Sequence, residues 1–236
     1  MSLLTACQDV ADVIGLTRPT AIASGTDQLA RQMFAIAKDV LAELGLMDWP
    51  FLQIPYSFDT VVDQASYSMP ADFGREVGDT VFLASQYYQL RGSLTPGDWQ
   101  RQRNSLAVQN GRYKFRLFGL PLKLYITPTP SAAEEIVLEY QTTYRVQQAD
   151  TTYKTTFFAD DDEALVPEDL LKMGIRWRLK RAKGLDYSED FNEYEIARAN
   201  RLAQQLSLGS IAVAYRNQAE VPELADGYVP EFGYGS

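Results

Sequence analysis

Hydrophobic residues recur at helical spacing in two stretches near the start of the chain. One stripe spans residues 2–14 and stops at Gly15, and a second spans residues 26–45. Apolar positions three and four residues apart are typical of a helix that buries one face. We therefore predict two packed N-terminal helices, with Thr26 as the N-cap of the second.

A third helical pattern, residues 163–206, predicts two helices joined by a tight turn. Pro167 suits a first helical position, Gly184 suits a left-handed stop, and Asp186 followed by Glu189 resembles a capping box. The apolar stripe of the first helix consists of Leu171, Ile175, Leu179 and Ala182. The pattern is that of an amphipathic helical hairpin.

Arg178 projects into this apolar stripe, where an unpaired cation is costly. The position calls for a carboxylate partner, and Asp190 and Glu193 are the candidates. Two interpretations stay open: an arginine at the edge of the core that extends to water, and a paired arginine at a subunit contact.

Between the helical stretches the apolar period changes from that of helices to that of strands. We expect four to six strands. Their patterns occupy residues 51–62, 65–70, 80–90, 112–118, 122–127 and 135–144. A short capped helix is predicted at residues 95–104, and the polar residues 147–162 predict a loop.

These patterns predict an α+β protein in which the N-terminal helices and the hairpin form a helical bundle around a β-rich middle domain. The predicted segments are N-terminal helices at 1–50, a β-rich insert at 51–146, an acidic loop and helical hairpin at 147–206, and an extended C-terminal tail at 207–236. The tail lacks the regular spacing of apolar residues that a packed core requires. Its aromatic residues Tyr228, Phe232 and Tyr234 predict docking on a neighbouring protein.

The composition narrows the classes of function. With 31 acidic residues, 22 basic residues and a net charge of −9, broad attraction to nucleic acid or to an anionic membrane is not expected. Cys7 is the single cysteine and there is no histidine, which excludes an intrachain disulfide and the common zinc sites. No apolar run approaches a membrane span, and we expect folding in the cytoplasm.

The candidate metal-binding and catalytic residues are acidic. The run 160–163 offers carboxylates for a metal, but its spacing matches no calcium loop, so we favour a solvated loop. Glu134 with Glu135, and Asp186 with Glu189, are pairs of the kind that glycoside hydrolysis needs. A strand-entry pair and a helix cap explain them better. We expect no catalytic residue, metal or cofactor.

Basic residues cluster in the first helix of the hairpin, beside Trp177. They are Lys172, Arg176, Arg178, Lys180, Arg181 and Lys183. Such a cluster can contact DNA, with the tryptophan stacking on a base. We favour pairing with the acidic companion helix or with acidic loops of the next subunit.

The order of several short motifs resembles the head-to-tail adaptor proteins of tailed bacteriophages over most of residues 1–206. The motifs are LLTACQDVADVIGLTRPTAI, TDQLARQMFAIAKDVLAELGLMDWPFL, TPGDWQRQ, YITPTPSAAEEIVLEYQTTY and LVPEDLLKMGIRWRLKRAKGLDYSEDFNEYE. Each motif is weak alone, and their combination and spacing make the resemblance specific.

The resemblance implies a non-enzymatic virion protein of the neck or tail, assembled in the host cytoplasm. In that family about twelve subunits form a ring between the portal protein and the downstream tail or nozzle protein. In short-tailed phages the equivalent of the adaptor is also called a tail tubular or tail accessory protein. Genomic DNA leaves through the lumen without specific binding. The candidate subunit or portal contacts are Lys172, Arg176, Trp177, Arg178, Lys180, Arg181, Tyr228, Phe232 and Tyr234. The alternatives are a virion-associated peptidoglycan hydrolase and a DNA-contacting connector.

Overall fold

The computed structural model describes residues 1–104 and 112–220, with side chains up to residue 204. In these ranges the chain forms an α+β fold of five helices and eleven strands, more strands than the four to six predicted. The helices are α1 (Leu3–Ile14), α2 (Gln28–Leu44), α3 (Pro96–Asn104), α4 (Glu168–Ala182) and α5 (Ser188–Glu220). The strands are β1 (Gln53–Asp59), β2 (Ser66–Ser68), β3 (Phe73–Glu76), β4 (Phe82–Leu83), β5 (Tyr88–Gln89), β6 (Lys114–Phe118), β7 (Lys123–Thr127), β8 (Glu135–Thr142), β9 (Val146–Gln147), β10 (Tyr153–Lys154) and β11 (Glu163–Ala164).

Local capping sets the ends of the first two helices. The Ser2 hydroxyl accepts a hydrogen bond from the Thr5 amide at the start of α1, and Gly15 ends that helix with φ 75°. Helix α2 is capped by Asp27, whose carboxylate accepts from the Ala30 amide at 3.3 Å. The prediction of Thr26 as this cap was wrong by one residue, because both side chains are good caps and only the observed backbone path selects between them.

Helix α4 lies at the centre of the helical part and contacts α1, α2 and α5. Gly174 permits its close approach to α2, because a Cβ at this position would lie 2.5 Å from a methyl carbon of Val40. Leu171, Ile175 and Leu179 are buried as predicted. Ala182 is exposed, contrary to the prediction, because the end of α4, the turn after it and the start of α5 are exposed throughout residues 181–189.

The β-rich part contains two of the three antiparallel sheets and has its own hydrophobic core. In the larger sheet the order is β1-β8-β4-β5, with β3 also pairing with β8, and the second sheet has the order β2-β7-β6. Alternate residues of β1 and β8 face this core, as in the pairs Tyr56 with Leu138 and Phe58 with Ile136. The aromatic content of the insert therefore serves this core to a large extent.

Two strand predictions differ from the structure. Residues 80–90 form the two strands β4 and β5 instead of one, because the chain reverses near Tyr87, which has φ 54°. Strand β8 is not the last, since β9 pairs with β10 and β11 in a third sheet. The polar stretch predicted as a loop thus contains β10, and its buried Phe157 packs into the helical core.

The turn between α4 and α5 contains Gly184 at φ 71°, as predicted. Pro167 precedes α4 as its N-cap residue instead of occupying the first helical position. The predicted capping box is wrong: the Asp186 carboxylate accepts from the amide and hydroxyl of Ser188, two residues on, instead of from Glu189. Aspartate forms such local turns readily, so the shorter bond replaces the box.

Helix α5 continues to Glu220, past the predicted boundary at Leu206, so residues 207–220 are helical instead of extended. The stretch holds one glycine among good helix formers, and the first proline after α4 begins is Pro222. The predicted contacts Tyr228, Phe232 and Tyr234 lie outside the described residues. Within the described ranges, no helix is long and apolar enough to cross a membrane.

Candidate functional site

The centre of the helical part is an ion-pair network around Glu43 of α2. Its carboxylate contacts Arg178 of α4, and it accepts hydrogen bonds from Arg198 at 2.9 Å and from the Tyr194 hydroxyl at 3.0 Å, both on α5. Burial first, and then the Glu43 charge, raise the pKa of Tyr194 above its ordinary value. Arg178 therefore has the carboxylate partner that its position requires, but the predicted identities, Asp190 and Glu193, were wrong.

The two predicted partners of Arg178 bind neighbouring cations instead. Arg176 contacts Glu193, and its Nε lies 2.7 Å from Asp190 Oδ1 in an ion pair without hydrogen-bond geometry. The other Asp190 oxygen accepts from Lys180. Asp190 is buried, so these pairs connect α4 firmly to α5. The predicted pairing with the acidic companion helix is thus present within one chain.

Lys172, one turn before Arg176 on α4, joins this helix to α1. Its ammonium group lies 2.6 Å from Asp9 and 2.7 Å from Glu168. Burial alone lowers the pKa of Lys172, but the hydrogen bonds to these two carboxylates outweigh it and hold the pKa above its ordinary value. The cation therefore stays charged and contributes to packing inside the subunit.

Trp177 is enclosed between α4 and α5 and leaves only 7% of its surface exposed. Its ring meets Phe191 edge-on at 5.1 Å, and the guanidinium groups of Arg178 and Arg181 lie over it at 5.1 and 5.3 Å. A ring covered in this way has no free face for a base. Arg181 itself is exposed, and of the six predicted hairpin contacts it is the one most open to a partner.

The acidic run 160–163 anchors the N-terminus of the chain. The Asp160 carboxylate accepts from the amides of Ile22 and Ala23 at 2.7 Å, and the Asp162 carboxylate accepts from two amides of its own turn. Backbone carbonyls of both aspartates bind the first turn of α1. The prediction of a solvated loop was wrong for these two residues, because Asp162 is fully buried and the half-buried Asp160 carboxylate binds two backbone amides.

The glutamate pair and the cysteine that were considered as reactive groups have structural explanations. Glu134 accepts from the side chain of Gln86 at 2.8 Å, and Glu135 opens β8 opposite Asp59. Burial, followed by the charge of Asp160, raises the pKa of the Cys7 thiol to about 12, which leaves no reactive thiolate at neutral pH. Among the described residues, no group of three acidic or cysteine side chains is arranged to hold a metal ion.

The exposed apolar surface of the described residues includes a groove on the larger sheet and side chains of α5. A groove of about 600 Å³ crosses the outer face of the larger sheet, with Pro55, Phe82 and Val137 among its lining residues. On α5, Ile196 and Leu202 are 62% and 37% exposed. Apolar side chains on an outer helix face are typical of contacts with another protein.

Sequence reasoning missed Glu43, Asp9 and the anchoring role of Asp162. The signal for Glu43 was indirect: an arginine inside an apolar stripe requires an acid on the helix that faces it. Glu43 lies beside the apolar stripe of α2 and precedes the buried Leu44 directly. Selecting it from 31 acidic residues required knowledge of which helix packs on α4.

Comparison with known proteins identifies the family. The profile of the SU10 adaptor protein family matches residues 1–223, which includes both the helical and the β-rich parts. A comparison with curated proteins gives no match. The resemblance to phage head-to-tail adaptors is confirmed, and the chain belongs to the SU10 adaptor protein family.

Proposed function

We propose that the protein forms a ring of about twelve subunits that joins the portal protein to the tail and lines part of the DNA ejection channel. The family match over residues 1–223 carries this proposal. A ring closed by rotation uses two different surfaces of each subunit, one on each side. The helical part supplies both surfaces in this proposal.

Exposed apolar side chains on α5 support this arrangement. Ile196 and Leu202 are exposed on a helix whose first turns pack on α4, and α5 is far longer than α4. The hairpin cations Lys172, Arg176 and Lys180 already bind carboxylates within the chain, so Arg181 is the basic residue that we assign to a subunit contact. The tail beyond Glu220 then reaches the portal protein.

The β-rich part presents its outer surface to the downstream tail or nozzle protein. The groove beside Phe82 and Val137 supports this role, because it is apolar, open and separate from the helical surfaces. This assignment makes the subunit a scaffold with three contact regions and no catalytic step. The structural adaptor family is consistent with a role without catalysis.

Native mass spectrometry of the purified protein, alone and mixed with its portal protein, tests the proposal. We expect a ring alone or on the portal, and we expect Ile196→Asp to reduce it. Val61→Asp places the same charge at an exposed apolar position of the β-rich part and should leave the ring intact. A wild-type protein that stays monomeric with the portal contradicts the proposal.

A further inference from the structure

A second cluster of basic residues, apart from that of the hairpin, lies in one part of the β-rich region. Residues 91–123 contain seven of the 22 basic residues and one of the 31 acidic residues. The local net charge is therefore +6, whereas the whole chain has −9. The basic residues are Arg91, Arg101, Arg103, Arg112, Lys114, Arg116 and Lys123. So uneven a distribution indicates a local site for an anion.

Strand geometry places several of these cations on one surface. Lys114 and Arg116 alternate with the buried Phe115, so they share the face of β6 that points away from the core. Lys123 of β7 lies opposite Phe118 on this same face. Three cations therefore occupy one side of a two-stranded ladder, which we call the basic face.

Helix α3 extends the basic face. Its buried Trp99 packs edge-on against Phe118 and Tyr125, at 6.1 and 6.5 Å. This contact fixes the helix across the strands, and a cleft of about 270 Å³ forms beside it. The cleft is lined by Arg91, Leu94, Asp98, Arg101, Gln102 and Lys114.

The contacts of these cations differ from those in the helical hairpin. Lys114 donates to the Gln102 amide oxygen at 2.7 Å, and Arg116 and Arg112 lie over the rings of Phe118 and Tyr88. All three partners are neutral. Arg101 pairs with Asp98 at 3.4 Å, and both side chains are exposed, so this pair contributes little. Hairpin cations such as Lys172 instead meet carboxylates within the chain. The charge of the basic face is thus available to an external anion.

We propose that the basic face binds the phosphodiester backbone of DNA without reading its sequence. Lys114 and Arg116 stand about 7 Å apart along their strand, close to the rise of two base pairs. Arginine recognises phosphate oxygens with paired donors, and the aromatic rings hold the guanidinium groups in place. The remainder of the chain is acidic, so binding is confined to this face and weakens with salt, which permits DNA to move past it.

This inference rests on the proposed function in one respect: DNA is named as the polyanion because a protein of the virion neck meets genomic DNA. It concerns a surface distinct from the hairpin cluster, whose Trp177 is covered. Acidic protein partners would use the same charges, and the experiment separates them from DNA.

The test is fluorescence anisotropy of a labelled duplex of about 30 base pairs with the full chain, from about 50 to 200 mM salt. We expect Arg101→Gln/Arg116→Gln to lower the affinity about tenfold and to reduce the salt slope by about two. The control Arg31→Gln/Lys183→Gln removes the same charge from exposed positions elsewhere and should leave both values unchanged. Thermal unfolding of each variant verifies the fold.

Three results overturn the inference: wild-type protein that does not bind the duplex at low salt, equal losses in the two double variants, and unchanged DNA affinity with reduced ring assembly in the basic-face variant. The last result assigns the face to a protein contact. Ring mass is measured separately on the same samples. If the wild-type protein forms no ring yet binds DNA through this face, the proposed function fails and the inference stands.

Discussion

Removal of the Glu43 carboxylate is expected to loosen the contact of α2 with both hairpin helices. This side chain binds Arg178 on α4, and Arg198 and Tyr194 on α5. Glu43→Ala leaves the two arginines without this acceptor, and the Tyr194 hydroxyl loses its partner in a buried position. The variant therefore tests whether one acid organises three helices.

The expected loss of unfolding free energy is about 2–3 kcal/mol. A hydrogen bond to a charged group contributes about 1.5–3 kcal/mol, and breaking a fully buried pair costs about 3–5 kcal/mol. Exposed pairs contribute only about 0–1 kcal/mol. Because Glu43 is 31% exposed, its pairs are partly screened and the value falls between these limits. The melting temperature should fall by about 5–10 °C.

Urea unfolding measured by circular dichroism tests this value. The matched control is Glu195→Ala, whose 36% exposed carboxylate pairs with Arg198 within the same helix and should cost less than about 0.5 kcal/mol. Glu43→Gln keeps the size of the side chain and isolates the effect of charge. A double-mutant cycle with Arg178→Ala should give a coupling above about 1 kcal/mol. Equal losses for Glu43→Ala and Glu195→Ala would refute the reasoning.

Three further predictions concern other parts of the chain. Burial raises the pKa of Cys7 from 9.0 to about 12, so the folded state loses stability as pH rises above 9. Wild-type protein should lose about 1 kcal/mol by pH 10 relative to Cys7→Ala, measured by urea unfolding at each pH. Asp162→Ala should cost about 2–4 kcal/mol, because two backbone amides lose their acceptor where the fully buried Asp162 side chain is removed. The exposed Asp161→Ala should be neutral, and calcium should not change the melting temperature of either variant. Gly174→Ala should cost about 1–3 kcal/mol through overpacking at the α2 contact, whereas Gly97→Ala, which meets nothing, should be tolerated in the same assay.

Local signals in the sequence predicted much of the fold. Apolar periodicity located α1, α2, α4 and the start of α5, and Gly15 and Gly184 marked two turns because each has the positive φ that glycine favours. The alternation of apolar and polar residues located β6 and β7, because each strand has one buried face and one polar face. Strands β9, β10 and β11 were missed, since strands of two residues have no period to detect, and the four-residue β3 was missed as well.

The candidate site was less predictable. Sequence reasoning found the cations of α4 and required a partner for Arg178, but it assigned Asp190 and Glu193 to the wrong arginine. Both acids lie on the neighbouring helix, and a rotation of that helix decides which cation they meet. Glu43 is distant in the chain, so no local pattern connected it with Arg178.

The sequence alone determined the α+β class, the positions of the main helices, the exclusion of disulfides and the family, because these follow from local periodicity, composition and motif order. The tertiary structure decided which charges neutralise each other. It placed the hairpin cations against carboxylates of three helices, buried Asp162, and left Lys114 and Arg116 facing outward beside neutral partners. The physical reason is that an ion pair depends on distances between atoms of different elements, which only the packing of those elements sets.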